Sequence, residues 1–379
     1  MSFRPIKLLF FIGLSDSSES RILSRLHGNQ WTEEVFNEGS NMKINFLKMV
    51  FFVIVNLLAV PSYADQGNNN DPLPSWNNQP IKNEIIHFVQ SVVDRNNTNY
   101  VAQEDRIATI DNDGTLWVEH PLYSQAIFAL DRIKQLAPTH PEWKNLEPYK
   151  TILSGNMEAI SHFTAQDFEK IIAETHAGMT VETFHSMVKH WLETAISPRF
   201  KYPYINLIYQ PMLEVINYLR TNGFKIYIVS GGGQEFIRAY GEDDYGIPPE
   251  QTIGSAGMTK YTYQNGAPVL IKLSKILLID DNAGKPEAIN LLVGKKPIIA
   301  FGNSDGDRQM LEWTQSRPGA HFMALVHHDD AKREYAYGPN TKVGTFSDSL
   351  MAEANKQGWH VISMQQDWKI IFPFEKVKH

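Results

Sequence analysis

The sequence predicts an α/β fold, a doubly wound and mostly parallel sheet with helices on both faces. Three short apolar segments carry this prediction. Ile107–Ile110, Lys225–Val229 and Ile298–Phe301 have the length and composition of buried strands. Each leads into a polar or glycine-rich loop, and stretches of helical character separate them. Because ligands of open parallel sheets collect at the carboxyl ends of the strands, we expect the functional residues in these three loops.

The loop after the first strand contains two carboxylates two residues apart, Asp111 and Asp113, followed by Gly114. Gly114 lets the chain turn, so that both acids can reach one phosphate group. Asp111 then suits the role of nucleophile, and Asp113 that of the acid that protonates the leaving oxygen and later activates water. Taken alone, the segment is also typical of an ordinary turn or a calcium loop, since Asp and Gly are common turn residues.

Three further segments, in sequence order, favour the phosphate interpretation. Ser230 and Gly231 open the loop after the second strand, where a hydroxyl and backbone N–H groups can bind phosphate oxygens. Lys285 lies at the start of a helical run and supplies a cation. The third strand runs into Gly302–Asp307, a polar loop whose side chains are able to hold a metal ion.

Together these segments resemble the four signature motifs of the haloacid dehalogenase superfamily, specifically its phosphatases of the phosphoserine phosphatase type. The resemblance spans residues 106–326 and implies a Rossmann-like core with an inserted helical cap domain. Carried over residue by residue, it makes Asp111 the nucleophile, Asp113 the general acid and base, Ser230 a hydroxyl donor to phosphate, and Lys285 the charge-neutralising lysine. Displacement of a halide needs neither an acid for the leaving group nor a metal, so the phosphatases are the better match.

The fourth motif departs from the usual pattern. These phosphatases commonly have Gly-Asp followed by an acid four residues later, whereas this chain has Gly302, Asn303 and then Asp307. Asn303 thus places a neutral amide at a magnesium-ligand position, and Asp305 is an additional acid nearby. The resemblance implies Mg²⁺ as the cofactor, and the expected ligands are Asp111, Asp113, Asn303 and Asp305, with Asp307 supporting Lys285 and the loop. Magnesium suits such a site because it needs few carboxylates, keeps waters and binds substrate phosphate.

The expected substrate is a small phosphoester. Glu119 and His120 follow the nucleophile loop closely enough to contact the leaving group, although structural roles are the alternative for both. The formal net charge of −7 and the scattered basic residues provide no electrostatic footprint for nucleic acid. The chain has no cysteine, which excludes disulfides and thiolate metal sites. Nothing in the sequence predicts an oligomeric state.

About a hundred residues separate the first and second motifs, far more than a crossover helix needs. We predict that residues 118–204 form a helical cap and that residues 81–117 and 205–379 form the core. The predicted cap helices are Pro121–Leu136, Thr164–Thr175 and Thr180–Ile196. In the last of these, apolar residues at helical spacing indicate a buried stripe: Phe184, Val188, Trp191, Leu192 and Ala195.

Residues 42–64 have the order of a signal peptide: a short basic region, the apolar run Met49–Val60, and small residues ending at Ala64. The apolar run is shorter than the ~20 residues that span a bilayer, so we expect no stable membrane anchor after processing. Cleavage near Ala64 would give a periplasmic or secreted protein. We interpret residues 1–41 as an upstream extension and residues 65–80, rich in Asn and Pro, as a disordered lead-in.

The remaining core shows three further patterns. Asn265 and Gly266 lie between two β-prone runs and predict a hairpin with a tight turn. Ile276–Ile279 is expected to form the strand that follows this hairpin. Gly358–Ile362 has the composition of an edge strand.

The sequence thus predicts an exported, magnesium-dependent phosphomonoesterase that works through an aspartyl-phosphate intermediate. Two alternatives stay open. A phosphotransferase would use the same intermediate and the same residues, and a secreted phosphate- or metal-binding protein would keep the fold without turnover.

Overall fold

The computed structural model describes residues 71–377, and its centre is a seven-stranded sheet. The strands are β1 (Ile107–Ile110), β2 (Lys225–Gly233), β3 (Thr252–Gln264), β4 (Ala267–Leu278), β5 (Ile299–Gly302), β6 (Phe322–His327) and β7 (His360–Ser363). Their order across the sheet is β4-β3-β2-β1-β5-β6-β7. All neighbouring pairs are parallel except β3 with β4. This arrangement confirms the predicted α/β fold.

The register of the three central strands brings their carboxyl ends together. Ile110, the last residue of β1, pairs with Ile228 of β2 and with Phe301 of β5. The segments that begin at Asp111, at Ser230 and after Gly302 therefore lie at the same edge of the sheet, where parallel sheets place their ligands. Ser230–Gly233, expected as a loop, forms the irregular end of β2, whose pairing with β3 shifts between Ser230 and Gly233. We keep the name glycine-rich loop for this segment.

Helices cover both faces of the sheet. They are Pro80–Val93, Ser124–Leu136, Tyr149–Ser154, Met157–Ile160, Ala165–His176, Val181–Thr194, Gln210–Thr221, Gln234–Arg238, Gly241–Tyr245, Gly284–Leu292, Arg308–Gln315, Asp348–Gln357 and Met364–Asp367. Alternate strand residues point to opposite faces, so Ile228 joins one hydrophobic cluster and Val229 the other. Between residues 71 and 377, no helix is long and apolar enough to cross a membrane.

Residues 118–204, the predicted cap, are mainly helical. The three helices expected there are present as Ser124–Leu136, Ala165–His176 and Val181–Thr194. Thr164 and Asp167 form the reciprocal capping bonds that start the helix Ala165–His176. Part of the insertion has its own hydrophobic cluster, which includes Ile133, Trp143 and Ile152. Four residues of the predicted stripe, Phe184, Val188, Trp191 and Leu192, are buried in the larger cluster of the sheet, and the fifth, Ala195, is half-buried against it. The division into cap and core stays a prediction.

The expectation of a disordered lead-in over residues 65–80 is wrong for residues 71–80. Leu73 and Trp76 are buried, and Trp76 packs edge-on against Trp368 at 6.1 Å between ring centroids. Ser75 Oγ donates to Glu214 at 2.6 Å. The polar composition of this segment suggested disorder, but its two large apolar side chains, Leu73 and Trp76, are buried in the core. The predicted extension and signal peptide lie outside the described residues.

The predicted hairpin is confirmed, but the strand expected after it is not a separate element. Asn265 and Gly266 adopt positive φ values of 51° and 79° and connect β3 to β4, as a two-residue turn requires. Residues 276–278 form the end of β4, antiparallel to β3. Ile276 and Leu277 are exposed, because β4 lies at the edge of the sheet.

Candidate active site

The loop of the expected nucleophile Asp111, which we call the nucleophile loop, turns directly after β1. The Asp111 backbone N–H donates to Phe301 O at 2.9 Å, which continues the sheet by one residue. Asn112 points into the core, where its side chain bonds Tyr240 and Tyr245 at 3.1 Å each. Gly114 has φ +77° and closes the turn. Because Asn112 points inward, its neighbours Asp111 and Asp113 are both free to face the site.

Lys285 joins this loop to the fourth motif. Its Nζ donates to Asp111 Oδ1 at 2.7 Å, to Asp307 Oδ1 at 2.6 Å and to Val229 O at 3.0 Å. All three charged groups are buried. Burial alone lowers the pKa of Lys285, but the carboxylates of Asp111 and Asp307 raise it overall. Burial, followed by repulsion from Asp307, raises the pKa of Asp111 well above its usual value.

Asp307 also organises the loop after β5. Its Oδ2 accepts from the backbone N–H groups of Asn303 at 2.9 Å and Ser304 at 3.0 Å. A Cβ on Gly302 would lie 2.5 Å from the Asp307 side chain, so only glycine fits there. Asp307 therefore has the contacts with Lys285 and the loop that the resemblance implied.

Asp113 lies beside the glycine-rich loop. Trp117 Nε1 donates to Asp113 Oδ1 at 2.8 Å. A Cβ on Gly232 would lie 3.2 Å from Asp113 Oδ2 and 3.2 Å from Ser230 Oγ, so these three residues meet at one point. Burial raises the pKa of Asp113, although the bond from Trp117 lowers it in part. A carboxyl group with a raised pKa can hold a proton for a leaving group.

The glycine-rich loop is held by two residues that sequence reasoning did not assign to the site. Ser230 N–H donates to Asp280 Oδ2 at 3.0 Å, and Gly233 N–H donates to Gln125 Oε1 at 2.7 Å. Gly232 N–H donates to the Ser230 hydroxyl at 3.1 Å. The sequence gives no signal for Gln125, which reaches the loop from the helical insertion.

Asp280 is completely buried, and its Oδ1 has no hydrogen-bond partner within the described residues. Burial raises the pKa of Asp280 to about 7, although Lys285 lowers it in part. Its neighbour Asp281 reaches the polar loop Gly302–Asp307, since Asp281 Oδ1 would lie 2.6 Å from a Cβ on Gly306.

Asn303 and Glu119 form the other side of the site. Asn303 Oδ1 accepts from the Thr115 hydroxyl at 3.2 Å, and the same hydroxyl is 3.4 Å from Asp111 Oδ2. Asn303 Nδ2 donates to Glu119 Oε1 at 2.6 Å, and Tyr337 OH donates to the same oxygen at 2.5 Å. Burial, with repulsion from Asp113 and Asp111, raises the pKa of Glu119 well above its usual value.

Asp305 and His120 are engaged elsewhere. Asp305 Oδ1 accepts from Ser347 Oγ at 2.7 Å, near the start of the helix Asp348–Gln357, and its side chain is 37% exposed. The structure therefore gives this acid a partner outside the Asp111 cluster. His120 Nε2 bonds Val343 O at 3.0 Å, and its ring stacks on Tyr337 at 3.8 Å.

A buried histidine, His328, contacts the backbone of the nucleophile loop at Gly114. His328 Nε2 lies 2.6 Å from Gly114 O, and its Nδ1 lies 3.2 Å from Glu334 Oε2. Sequence analysis did not connect this residue with the loop, because the contact joins residues 214 positions apart.

The residues present fit a magnesium ion of the expected kind. Within residues 71–377, no group of three or more His, Asp or Glu side chains is arranged to hold a metal. Magnesium does not require one, because it commonly uses one or two carboxylates with waters and substrate phosphate. Lys285 forms ion pairs with Asp111 and Asp307 and so compensates part of their negative charge. Asp113 and Glu119 form no ion pair in the described part of the chain, which leaves negative charge for a cation to compensate. Asp111, Asp113 and the Asn303 amide oxygen would hold the cation.

Residues 108–312 match a family model for haloacid dehalogenase-like hydrolases, which covers more than half of the chain. All four motifs lie within this range. A comparison with curated proteins finds no match.

Several solved structures are similar to this chain. A protein of Anaerococcus prevotii, described as conserved and functionally unknown, is 16% identical, with 74% of this chain and 91% of that chain covered and a TM-score of 0.44. A protein of unknown function from Bordetella pertussis is 17% identical, with 68% and 97% covered and a TM-score of 0.43. A phosphoserine phosphohydrolase-like protein from Francisella tularensis is 19% identical, with 58% and 87% covered and a TM-score of 0.32.

Proposed function

This chain belongs to the haloacid dehalogenase-like hydrolase family, and we propose that it is a magnesium-dependent phosphomonoesterase acting on a small phosphoester. The observation that carries the proposal is the contact of Lys285 with Asp111 and Asp307 at 2.7 and 2.6 Å. It joins three motifs that are far apart in sequence around the carboxylate proposed as nucleophile.

The proposed reaction has two displacements at phosphorus. An Asp111 oxygen attacks the phosphorus, the bond to the leaving oxygen breaks, and the proton on Asp113 passes to that oxygen. Asp113 then takes a proton from water, the water oxygen attacks the phosphorus, and the bond to Asp111 breaks to release phosphate. Asp113 is suited to both steps, because Trp117 fixes one of its oxygens and the other lies at the Ser230–Gly232 loop.

Charge balance around the phosphoryl group falls to Lys285 and the glycine-rich loop. Lys285 screens the repulsion between the Asp111 carboxylate and an incoming phosphate. Ser230 and the loop amides are the expected contacts of the phosphate oxygens. Magnesium, when bound by Asp111, Asp113 and Asn303, supplies the additional positive charge that the transferring group needs.

The test is a panel of phosphoesters, including a generic aryl phosphate, assayed with the mature protein and Mg²⁺. We expect phosphate release that Asp113→Asn reduces by about 10²- to 10⁴-fold. Product analysis with added alcohols separates hydrolysis from phosphotransfer. Absence of turnover on every ester, with a folded protein that still binds phosphate, would favour the binding protein without turnover and overturn the proposal.

We also propose that the protein is exported to the periplasm or secreted. Support comes from the basic, apolar and small-residue order of residues 42–64. Expression from Met42 in a Gram-negative host should give a periplasmic protein whose amino terminus lies at or near Asp65. An uncleaved chain in the inner membrane would instead indicate an anchor.

A further inference from the structure

The orientation of the Asn303 amide is determined by its neighbours. An amide side chain offers a donor at one end and an acceptor at the other, and the hydrogen-bond network decides which end faces which partner. Nδ2 of Asn303 faces the carboxylate oxygen Glu119 Oε1 at 2.6 Å, which can only accept when ionised. The amide oxygen is thereby directed to Thr115, whose hydroxyl is 3.4 Å from Asp111 Oδ2.

Glu119 is built into this position. Its side chain is 2% exposed, and Tyr337 OH donates to the same oxygen that accepts from Asn303. A Cβ on Gly114 would lie 2.3 Å from Glu119 Oε1, and one on Gly344 would lie 1.8 Å from it. Two glycines thus leave the space that the carboxylate occupies. A buried carboxylate is costly without a cation, yet the described residues place none in contact with Glu119.

We propose that Glu119 is a positioning residue for the divalent cation, because it orients the Asn303 oxygen toward Asp111 and supplies the negative charge that Asn303 lacks. The fourth motif is then split between two segments of the chain, with the ligand oxygen on Asn303 and the charge on Glu119. This inference rests on the proposed function, since it assigns a role toward the same cation. It differs from the sequence expectation that Glu119 contacts the leaving group.

The test compares Mg²⁺ binding by calorimetry in the wild type, Glu119→Gln, Asn303→Asp and the double variant. Glu119→Gln keeps an acceptor for Asn303 and Tyr337 but removes the charge, so Mg²⁺ affinity should fall by about 10- to 100-fold. Asn303→Asp places two carboxylates in contact, so the metal-free protein should melt at a lower temperature than the wild type.

The double variant is the decisive protein. It returns one charge to the pair, and the glutamine amide can donate to the carboxylate at position 303 while its oxygen accepts from Tyr337. Its Mg²⁺ affinity should return to within about threefold of the wild type, because the substitution at position 303 restores the charge that Glu119→Gln removes. A double variant that binds Mg²⁺ as weakly as Glu119→Gln would overturn the proposal, and so would an unchanged affinity in Glu119→Gln.

Tyr337→Phe is the matched control, because it removes a hydrogen bond to Glu119 Oε1 and leaves the charge in place. Its Mg²⁺ affinity should stay within about threefold of the wild type. A loss equal to that of Glu119→Gln would show that the hydrogen bond positioning the carboxylate, and not its charge, is responsible. A wild type that neither binds Mg²⁺ nor hydrolyses phosphoesters would contradict the proposed function itself, whereas intact binding in both the wild type and Glu119→Gln would contradict this inference alone.

Discussion

On one side of Asp111, Lys285 contacts both Asp111 and Asp307, and the three buried charges form an ion-paired cluster. On the other side, Glu119 is equally buried, but it accepts from the neutral groups of Asn303 and Tyr337. We call these the lysine side and the amide side. The lysine side carries its own cation, whereas the amide side has an acceptor set and a negative charge that suit a cation from solution.

This difference separates two uses of buried charge. An ion pair within the chain can be complete when the protein folds, and breaking it leaves uncompensated charges. A carboxylate without an internal cation favours binding of an external one, because the bound ion relieves the repulsion among the acids. The lysine side should therefore determine stability and nucleophile geometry, and the amide side should determine metal affinity.

The largest effect is expected at the residue that the two sides share. Asp111→Asn removes the proposed nucleophile, so turnover should fall by at least about 10⁴-fold. The same change removes one of two carboxylates that compete for Lys285, so the protein should remain folded with an unchanged or higher melting temperature. Phosphate release and circular dichroism measure the two outcomes. Substantial residual activity would show that the aspartyl mechanism is wrong.

The second prediction concerns the lysine side alone. Lys285→Ala leaves Asp111 and Asp307 buried without their cation, so it should cost about 3–5 kcal/mol of unfolding free energy as well as activity. Adding Asp307→Asn should recover much of the stability but not the activity, because the nucleophile stays unscreened. Urea unfolding compares the two variants. An equally unstable double variant would indicate that lost packing, and not charge, explains the defect.

The third prediction uses pH to test Asp280, a buried carboxyl whose pKa is raised by burial more than it is lowered by Lys285. The folded-state pKa of Asp280 is raised to about 7, above the unfolded value. The stability it contributes is therefore full below the unfolded pKa and is lost as pH rises through about 7. The wild type should lose about 2 kcal/mol between pH 5 and 8 relative to Asp280→Asn. Parallel stability curves for the two proteins would contradict this assignment.

The smallest effect is expected at Asp305, which the sequence placed among the metal ligands. Its carboxylate accepts from Ser347 and is half-exposed. Asp305→Asn should therefore leave Mg²⁺ affinity within about twofold, while stability falls by roughly 0.5–1 kcal/mol through a weaker hydrogen bond. Titration calorimetry measures the Mg²⁺ affinity of this variant. A loss of affinity comparable to that of Glu119→Gln would show that Asp305 is a metal ligand after all.

Sequence reasoning succeeded where local pattern and chain order carry the information. Short apolar runs ending in polar loops predicted β1, β2 and β5, and their parallel pairing brings Asp111, Ser230 and the Gly302–Asp307 loop to one edge. The Asn265–Gly266 turn predicted the hairpin because its positive φ values need those residue types. The same reasoning failed for residues 71–80, where composition suggested disorder and two large side chains decided otherwise.

The sequence by itself determined the strands, the order of the motifs and the residue types that can perform phosphoryl transfer, since each depends on neighbouring residues or on the topology of parallel strands. The tertiary structure alone decided which side chains meet across the loops. Glu119 bonds Asn303 across 184 positions, and Asp305 turns to Ser347 instead of to Asp111. Such contacts depend on the paths of several loops packed together, and no periodicity or spacing within one segment encodes them.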